Sequence, residues 1–214
     1  MLSYPIETRQ QQGRLMRGEA PLLNVLLDYP VCTGDAPAHS VDQFNRHYLG
    51  MAQKALSDAR GAMSIAALRH RNRNIAAGVP FAGHSLRQDC EVTYNERPWL
   101  SVVCDTRRTE SAVHAIVERH ADTWDMEAGH MVTLRDLFQP GYDYKKTILD
   151  YIERTRTGPD QPDIKQLRAH FRERDFYLSR KGLAVFFPLV QLGPYQEDVP
   201  VYTVPFSEFE GLRL

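Results

Sequence analysis

Histidine and acidic side chains in the middle of the chain are the residues whose types could do chemistry. Residues 112–125 predict a strand, whose alternation places His114, Glu118 and His120 on one face. His114 and His120 would lie about 20 Å apart on such a strand, since it rises roughly 3.3 Å per residue. The ligands of one zinc ion each come within about 2 Å of the metal. Only Glu118 and His120 could therefore share an ion, and the site would need further ligands from another strand. We favour the interpretation that these are solvated residues on a sheet face, and we predict no metal site.

Local motifs of common enzymes are absent from the sequence. It contains no H-E-x-x-H, no G-x-S-x-G, no phosphate-binding glycine loop and no dinucleotide fingerprint. We therefore predict that the protein is not an enzyme and uses no cofactor. A catalytic site can still be assembled from distant positions. A hydrolase or metal-dependent enzyme that uses His114 with Asp105 or Asp125 is thus the alternative.

Composition and charge restrict the function classes further. The chain has 214 residues, of which 43% are hydrophobic and 25% charged, as is typical of a packed protein. A net charge of -1 supplies no basic field, so we expect no nucleic-acid partner. No apolar stretch reaches the roughly 18 residues of a membrane span, and no signal sequence is visible. The expected location is cytoplasmic if Met1 is the native start and extracytoplasmic if the N-terminus was trimmed.

Two of the three cysteines are predicted to be neighbours on adjacent strands. A turn through Asn95–Pro98 would pair Cys90 with Cys104, Val92 with Val102, and Tyr94 with Leu100 on one sheet face. We expect two buried thiols that pack as small hydrophobic groups. The alternative is a cross-strand disulfide, which would indicate an oxidising compartment.

The remaining pattern predicts an α+β fold, in which antiparallel sheets are packed by helices. Strands are expected on both sides of a turn at 17–19, and Pro30 is expected to end the second strand. A helix follows from Ser40, its predicted N-cap, to about Leu68 or beyond, and stops by Gly78. Shorter helical segments are predicted within 133–138, from Tyr144 towards 158, and over 163–171.

The last third of the chain is predicted to form a binding surface rather than a catalytic site. A hairpin turns at Arg180–Gly182, a loop carries Pro194 and Tyr195, and one more strand covers 201–206. Tyr142, Pro194 and Tyr195 are candidate contacts because rigid amphipathic rings are favoured at recognition surfaces. Ordinary half-buried anchors are the competing interpretation for the tyrosines.

The order and spacing of several short motifs resemble a known family. They are Tyr29-Pro30, Phe44-Asn45, Leu100-Ser101-Val102, Trp124-Asp125 with Gly129, Thr133 to Phe138, Asp175-Phe176-Tyr177-Leu178, Gly182-Leu183 and Pro194-Tyr195. In these features the chain resembles the extracellular region of RsiV-type anti-sigma factors and the similar non-catalytic region of PdaC-type peptidoglycan deacetylases. The resemblance implies two α+β portions, here residues 1–107 (PdaC-like) and 108–214 (RsiV-like).

The resemblance also implies a function. RsiV-type members bind lysozyme as a sensor, so we expect a non-enzymatic module that recognises a lysozyme-like protein or a cell-envelope glycan such as peptidoglycan. His114 matches a family histidine, but Thr109, Glu110 and Ser111 precede Ala112 where relatives carry a tyrosine and paired glycines. The candidate ligand-binding residues are thus His114, Tyr142, Pro194 and Tyr195. A cytoplasmic scaffold that has lost the ligand is a further alternative.

Overall fold

The computed structural model describes residues 3–110, 115–155, 163–187 and 199–214. The described chain combines helices with two sheets, which confirms the predicted α+β class. The six strands of the large sheet are β1 (Ile6–Arg17), β2 (Ala20–Cys32), β3 (His84–Glu96), β4 (Trp99–Thr109), β5 (Ala115–Asp125) and β6 (His130–Met131). The three strands of the small sheet are β7 (Phe176–Ser179), β8 (Gly182–Phe186) and β9 (Val201–Val204).

One long helical stretch crosses the large sheet. It consists of α1 (Ala38–Asp58), a π-helical turn (Ala59–Met63) and α2 (Ser64–Ala76), and so confirms the helix predicted from position 40 onward. The N-cap position is Pro37 rather than Ser40. Ser40 is fully buried inside the first turn, because the helix begins three residues earlier than predicted.

The large sheet is mixed rather than purely antiparallel. Its order is β1-β2-β3-β4-β5-β6, and β2 pairs with β3 in parallel, with Leu23 opposite His84. The helical stretch supplies the crossover that a parallel pair needs. The prediction that Pro30 ends β2 was wrong, because the strand continues to Cys32. The pairing with β3 stops at Leu27, so Pro30 lies on a part of β2 with one neighbouring strand, where a missing N–H is tolerated.

The central hairpin confirms most of the predicted register and corrects one pair. Cys90 lies opposite Cys104 and Val92 opposite Val102, as predicted. A bulge between Val92 and Tyr94 then places Tyr94 opposite Ser101 instead of Leu100. One extra residue sends the following side chains to the other face. Tyr94 consequently joins the core around the small sheet, away from the cysteines.

The two cysteines of this hairpin form a disulfide, so the prediction of two free thiols was wrong. Cys32 is a free and buried cysteine. The close approach of opposed residues on adjacent antiparallel strands allows such a bond. The disulfide lies on the face of the large sheet that carries α1, where Cys104 belongs to the first hydrophobic core.

The two largest of the three hydrophobic cores in the described residues lie on opposite faces of the large sheet. The first packs α1 against β2, β3, β4 and Trp124, and includes Phe44 and Tyr48. The second packs the small sheet with α3 (Tyr144–Thr155) and α4 (Ile164–His170). Ser101 links the two sheets, because its Oγ accepts a hydrogen bond from the Leu178 amide at 3.0 Å. No helix in the described ranges is long and apolar enough to cross a membrane.

Local capping explains where the shorter helices begin. The Thr133 amide donates to the Asp136 carboxylate at 2.7 Å, and these two residues form a capping box at the 3-10 turn Leu134–Leu137. Asp143 accepts from the Lys146 amide at 3.0 Å and so caps α3. These short elements connect β6 to α3.

The predicted boundary between the two portions falls inside a strand. β4 runs to Thr109 and pairs along its length with β5, from Trp99 opposite Asp125 to Thr109 opposite Ala115. The division into residues 1–107 and 108–214 stays a prediction.

Candidate functional site

A groove of about 1340 Å³ runs along β5, the last long strand of the large sheet. One wall is the segment Arg172–Phe176, which leads into the small sheet, and Met131 to Thr133 lie near one end. The groove contains side chains of both charges. These are Glu118, Arg119, His120, Asp122, Arg172, Glu173, Arg174 and Asp175.

The outer edge of β5 contributes to this groove. β6 pairs with β5 only at Trp124 and Asp125. From Ala115 to Glu118, none of the described strands lies on that edge. The side chain of Ile116 is 46% exposed there, and Met131 is also 46% exposed. The groove therefore combines a strand edge with exposed aliphatic side chains.

His47, His120 and Asp122 form a cluster, of which His120 and Asp122 line the groove. His120 and Asp122 are two residues apart on β5 and share one face. His47 comes from α1. The Nε2 atoms of His47 and His120 lie 2.9 Å and 3.0 Å from the same oxygen, Asp122 Oδ2.

Packing of α1 on β5 brings His47 to this position. Phe44 and Tyr48 are buried against Trp124, with ring centroids 5.5 Å and 6.4 Å away. His47 lies beside them, and its ring makes edge contacts with Tyr48 at 4.9 Å and with Trp124 at 5.5 Å. The His47 ring is thus held by two aromatic neighbours, Tyr48 and Trp124.

The electrostatics of the cluster follow from its hydrogen bonds. Burial alone would raise the pKa of Asp122, but the hydrogen bonds from His120 and His47 outweigh it and hold that pKa well below its usual range. The hydrogen bond to Asp122 raises the pKa of His120, although burial opposes this shift. Burial raises the pKa of Tyr48 well above its ordinary value. The cluster is therefore an ionised carboxylate held between two imidazoles.

Asp175 is a second acidic group in the groove wall, and few favourable contacts offset the cost of burying its charge. The residue is 9% exposed, and its Oδ2 atom is buried with no hydrogen-bond partner in the described part of the chain. Its other oxygen lies 3.7 Å from the exposed Arg174 guanidinium, a pair that contributes little. Burial raises the pKa of Asp175 above its ordinary value of 3.8. Acidic groups whose pKa is shifted by burial are common at functional sites.

We expect Asp175→Asn to stabilise the protein by about 1 kcal/mol at neutral pH, since the buried charge is removed. The raised pKa means that the native carboxyl binds its proton more tightly than the unfolded one does. The contribution of Asp175 to stability is therefore greatest below pH 3.8 and is lost as the pH rises through the raised pKa. Urea denaturation across this range should show the gain of Asp175→Asn shrinking as the pH falls.

A matched control for this prediction is Asp150→Asn. Asp150 is half exposed on α3 and pairs with Lys146, so its loss should change the free energy of unfolding by less than about 0.5 kcal/mol. A destabilised Asp175→Asn protein at neutral pH would contradict the expected penalty of the buried carboxylate.

The sequence-predicted site residues fall into two groups. His114, Pro194 and Tyr195 lie outside the described residues, so their ligand contacts stay predictions. Tyr142 is described and does not line the groove. Its ring stacks on Phe138 at 5.5 Å and its hydroxyl lies 3.0 Å from Thr147 Oγ1. A ligand role for Tyr142 also stays a prediction.

Sequence reasoning identified His120 but missed His47 and Asp122. It anticipated that a metal site at His120 would need further ligands from another strand, and the structure supplies His47 from a helix. The available signal was the position of His47 beside the apolar stripe of Phe44 and Tyr48. The sequence does not reveal which strand that stripe covers.

Together these features define an α+β protein with a groove along a sheet edge and a histidine–aspartate cluster that contributes His120 and Asp122 to its lining. Residues 135–207 match the model of a family described as "Protein of unknown function (DUF3298)". That range includes the groove wall at Arg172–Phe176 but not β5.

Solved structures of DUF3298 family proteins share the fold. One from Bacteroides fragilis NCTC 9343 superposes with a TM-score of 0.68 at 13% identity. Another from Pseudomonas aeruginosa PAO1 gives a TM-score of 0.60 at 15% identity. Each comparison covers 98% of this chain and 94% of the other. No curated protein matches the chain.

Proposed function

We propose that the chain is a non-catalytic binding module that takes up an extended segment of a protein partner in the groove along β5. The observation that carries this proposal is the strand edge at Ala115–Glu118, which no described strand covers. A sheet edge presents unpaired N–H and C=O groups, and an extended peptide can add to it as a further strand.

The side chains around the edge favour a protein over a glycan. Ile116 and Met131 are exposed aliphatic groups within the groove, as expected at the centre of a protein interface. Phe176 and Phe186 also line the groove, but they are only 4% and 3% exposed and offer little ring surface for a sugar. The mixed charges around the groove would form a polar rim and select the register of the partner.

The family resemblance and the disulfide support an extracytoplasmic partner. The chain resembles RsiV-type regions that bind lysozyme, so a lysozyme-like protein is the first candidate. The bond between Cys90 and Cys104 fits an oxidising compartment, because reducing conditions in the cytoplasm disfavour structural disulfides. Both arguments support a partner outside the cytoplasm.

The test is a titration of the purified chain with lysozyme by calorimetry, followed by the Ile116→Glu variant. This change should weaken binding at least about tenfold, because an isoleucine side chain contributes about 1.5–3 kcal/mol when buried and 1.4 kcal/mol is a factor of ten. Ile65→Glu is the matched control, since Ile65 is 54% exposed on α2 and does not line the groove. Its affinity should equal that of the unmodified chain.

Four outcomes would contradict the proposal. Equal loss of affinity in both variants would place the contact elsewhere, and the absence of binding would remove lysozyme as the partner. Binding of peptidoglycan fragments that is abolished by Ile116→Glu would identify the groove as a glycan site instead. Substrate turnover that depends on His114 would favour the enzymatic alternative.

A further inference from the structure

The histidine–aspartate cluster beside the groove has the composition of a transition-metal site. Two imidazole nitrogens and one carboxylate oxygen, from His47, His120 and Asp122, all lie within 4.8 Å of one another. We propose that these three side chains bind one divalent transition-metal ion of the zinc type. The proposal goes beyond partner binding, because the site requires no occupant in the groove.

The observed distances are close to those of a coordinated ion. Ligand atoms about 2.0–2.1 Å from a tetrahedral zinc lie about 3.3–3.4 Å apart. The two histidine Nε2 atoms are 2.9 Å and 3.0 Å from Asp122 Oδ2, a few tenths of an ångström below that spacing, and the three ligand atoms all lie within 4.8 Å of one another. The metal would replace two hydrogen bonds that converge on one oxygen.

The three side chains are held in place before any ion arrives. Asp122 has a side chain that is only 9% exposed and is fixed between both histidines. His47 is 25% exposed and is packed against Tyr48 and Trp124. His120 is 52% exposed, which leaves an approach to the cluster from solvent. Ligands that are already held in place lose little conformational freedom when an ion binds, and the accessible side lets the ion enter.

The ligand chemistry selects the class of ion. Imidazole nitrogen suits zinc, copper and nickel, whereas magnesium and calcium prefer sites made of oxygen ligands. Three protein ligands leave a fourth tetrahedral position, which structural zinc sites normally fill with a protein side chain. Since His120 and Asp122 line the groove, water or a group of the bound partner would complete the coordination.

The experiment uses the full chain without an affinity tag, stripped with chelator and titrated with Zn²⁺ alone. We expect one Zn²⁺ per chain by calorimetry and elemental analysis, and no comparable binding of Mg²⁺. His47→Ala and His120→Ala should each weaken Zn²⁺ binding by about 100-fold or more, since changes even in the supporting shell of a metal site cost 10–100-fold. His39→Ala is the control, because His39 is an exposed histidine of the same helix outside the cluster.

Cobalt substitution separates this site from the cysteines. Co²⁺ should give tetrahedral absorption bands without the intense sulfur charge-transfer band that a Cys32 ligand would produce. Absence of Zn²⁺ binding, unchanged affinity in both His47→Ala and His120→Ala, or a sulfur band would each overturn the proposal. Because the titration contains no partner protein, its failure is distinguishable from a failure of the lysozyme titration.

Discussion

Replacing Cys90 and Cys104 together by alanine is expected to lower the free energy of unfolding by about 3 kcal/mol. The disulfide joins residues 14 positions apart, and closing a loop of about 15 residues in the unfolded chain is worth about that much. For a chain of this size the melting temperature should fall by roughly 10 °C. Thermal and urea denaturation of the oxidised wild type and the double variant measure the effect.

Dithiothreitol provides the internal control for this prediction. It should destabilise the wild type by a similar amount and leave the double variant unchanged, because Cys32 is a free thiol in both proteins. Mass spectrometry after alkylation should find one accessible thiol in the denatured oxidised wild type and three after reduction. Equal stability of oxidised and reduced wild type would contradict a structural disulfide.

Gly182→Ala is expected to destabilise the protein by about 4 kcal/mol, from backbone strain and overpacking combined. Gly182 has a φ of +148°, a conformation that residues with a side chain rarely adopt. A Cβ atom at this position would overlap the carbonyl oxygen of Val204 in β9. The strands would have to separate where Leu183 pairs with Val204, and both of these side chains are fully buried.

The Gly18→Ala variant is the control, because it introduces backbone strain without an overlap like that between residue 182 and Val204. Gly18 also has a positive φ, +62°, but a Cβ atom there would meet no atom within 4 Å. Its replacement should therefore cost only about 1–2 kcal/mol. Urea denaturation compares the two variants directly. If both lose the same stability, the contact with Val204 is not the cause.

Local sequence patterns predicted the elements of this fold better than their arrangement. The helix from position 40 and the hairpin turning at Arg180–Gly182 have clear periodicity and turn residues, and the structure confirms both. The parallel pairing of β2 with β3 has no local signature, because Leu23 and His84 meet only through the helical crossover. β2 can continue past Pro30 because β3 does not pair with it there, and the sequence does not reveal where that pairing stops.

In the candidate site, too, the sequence predicted which residues share a strand face but not which elements meet. Alternation along β5 correctly predicted that Glu118 and His120 share a face, and Asp122 follows from the same period. His47 is a member of the cluster because α1 crosses β5 at Trp124, and that crossing is a tertiary contact. The disulfide was foreseeable as geometry, since the register of Cys90 and Cys104 was correct, but oxidation state depends on the compartment.

The parallel pair at the centre of the large sheet has a consequence for how the chain folds. β1 and β2 can form early as a hairpin, because their turn is short. β3 can join β2 only after the whole helical stretch from Ala38 to Ala76 has been brought back across the sheet. Closing such a long loop costs chain entropy before any contact repays it. We therefore expect the crossover, rather than either hairpin, to limit the folding rate of the N-terminal half.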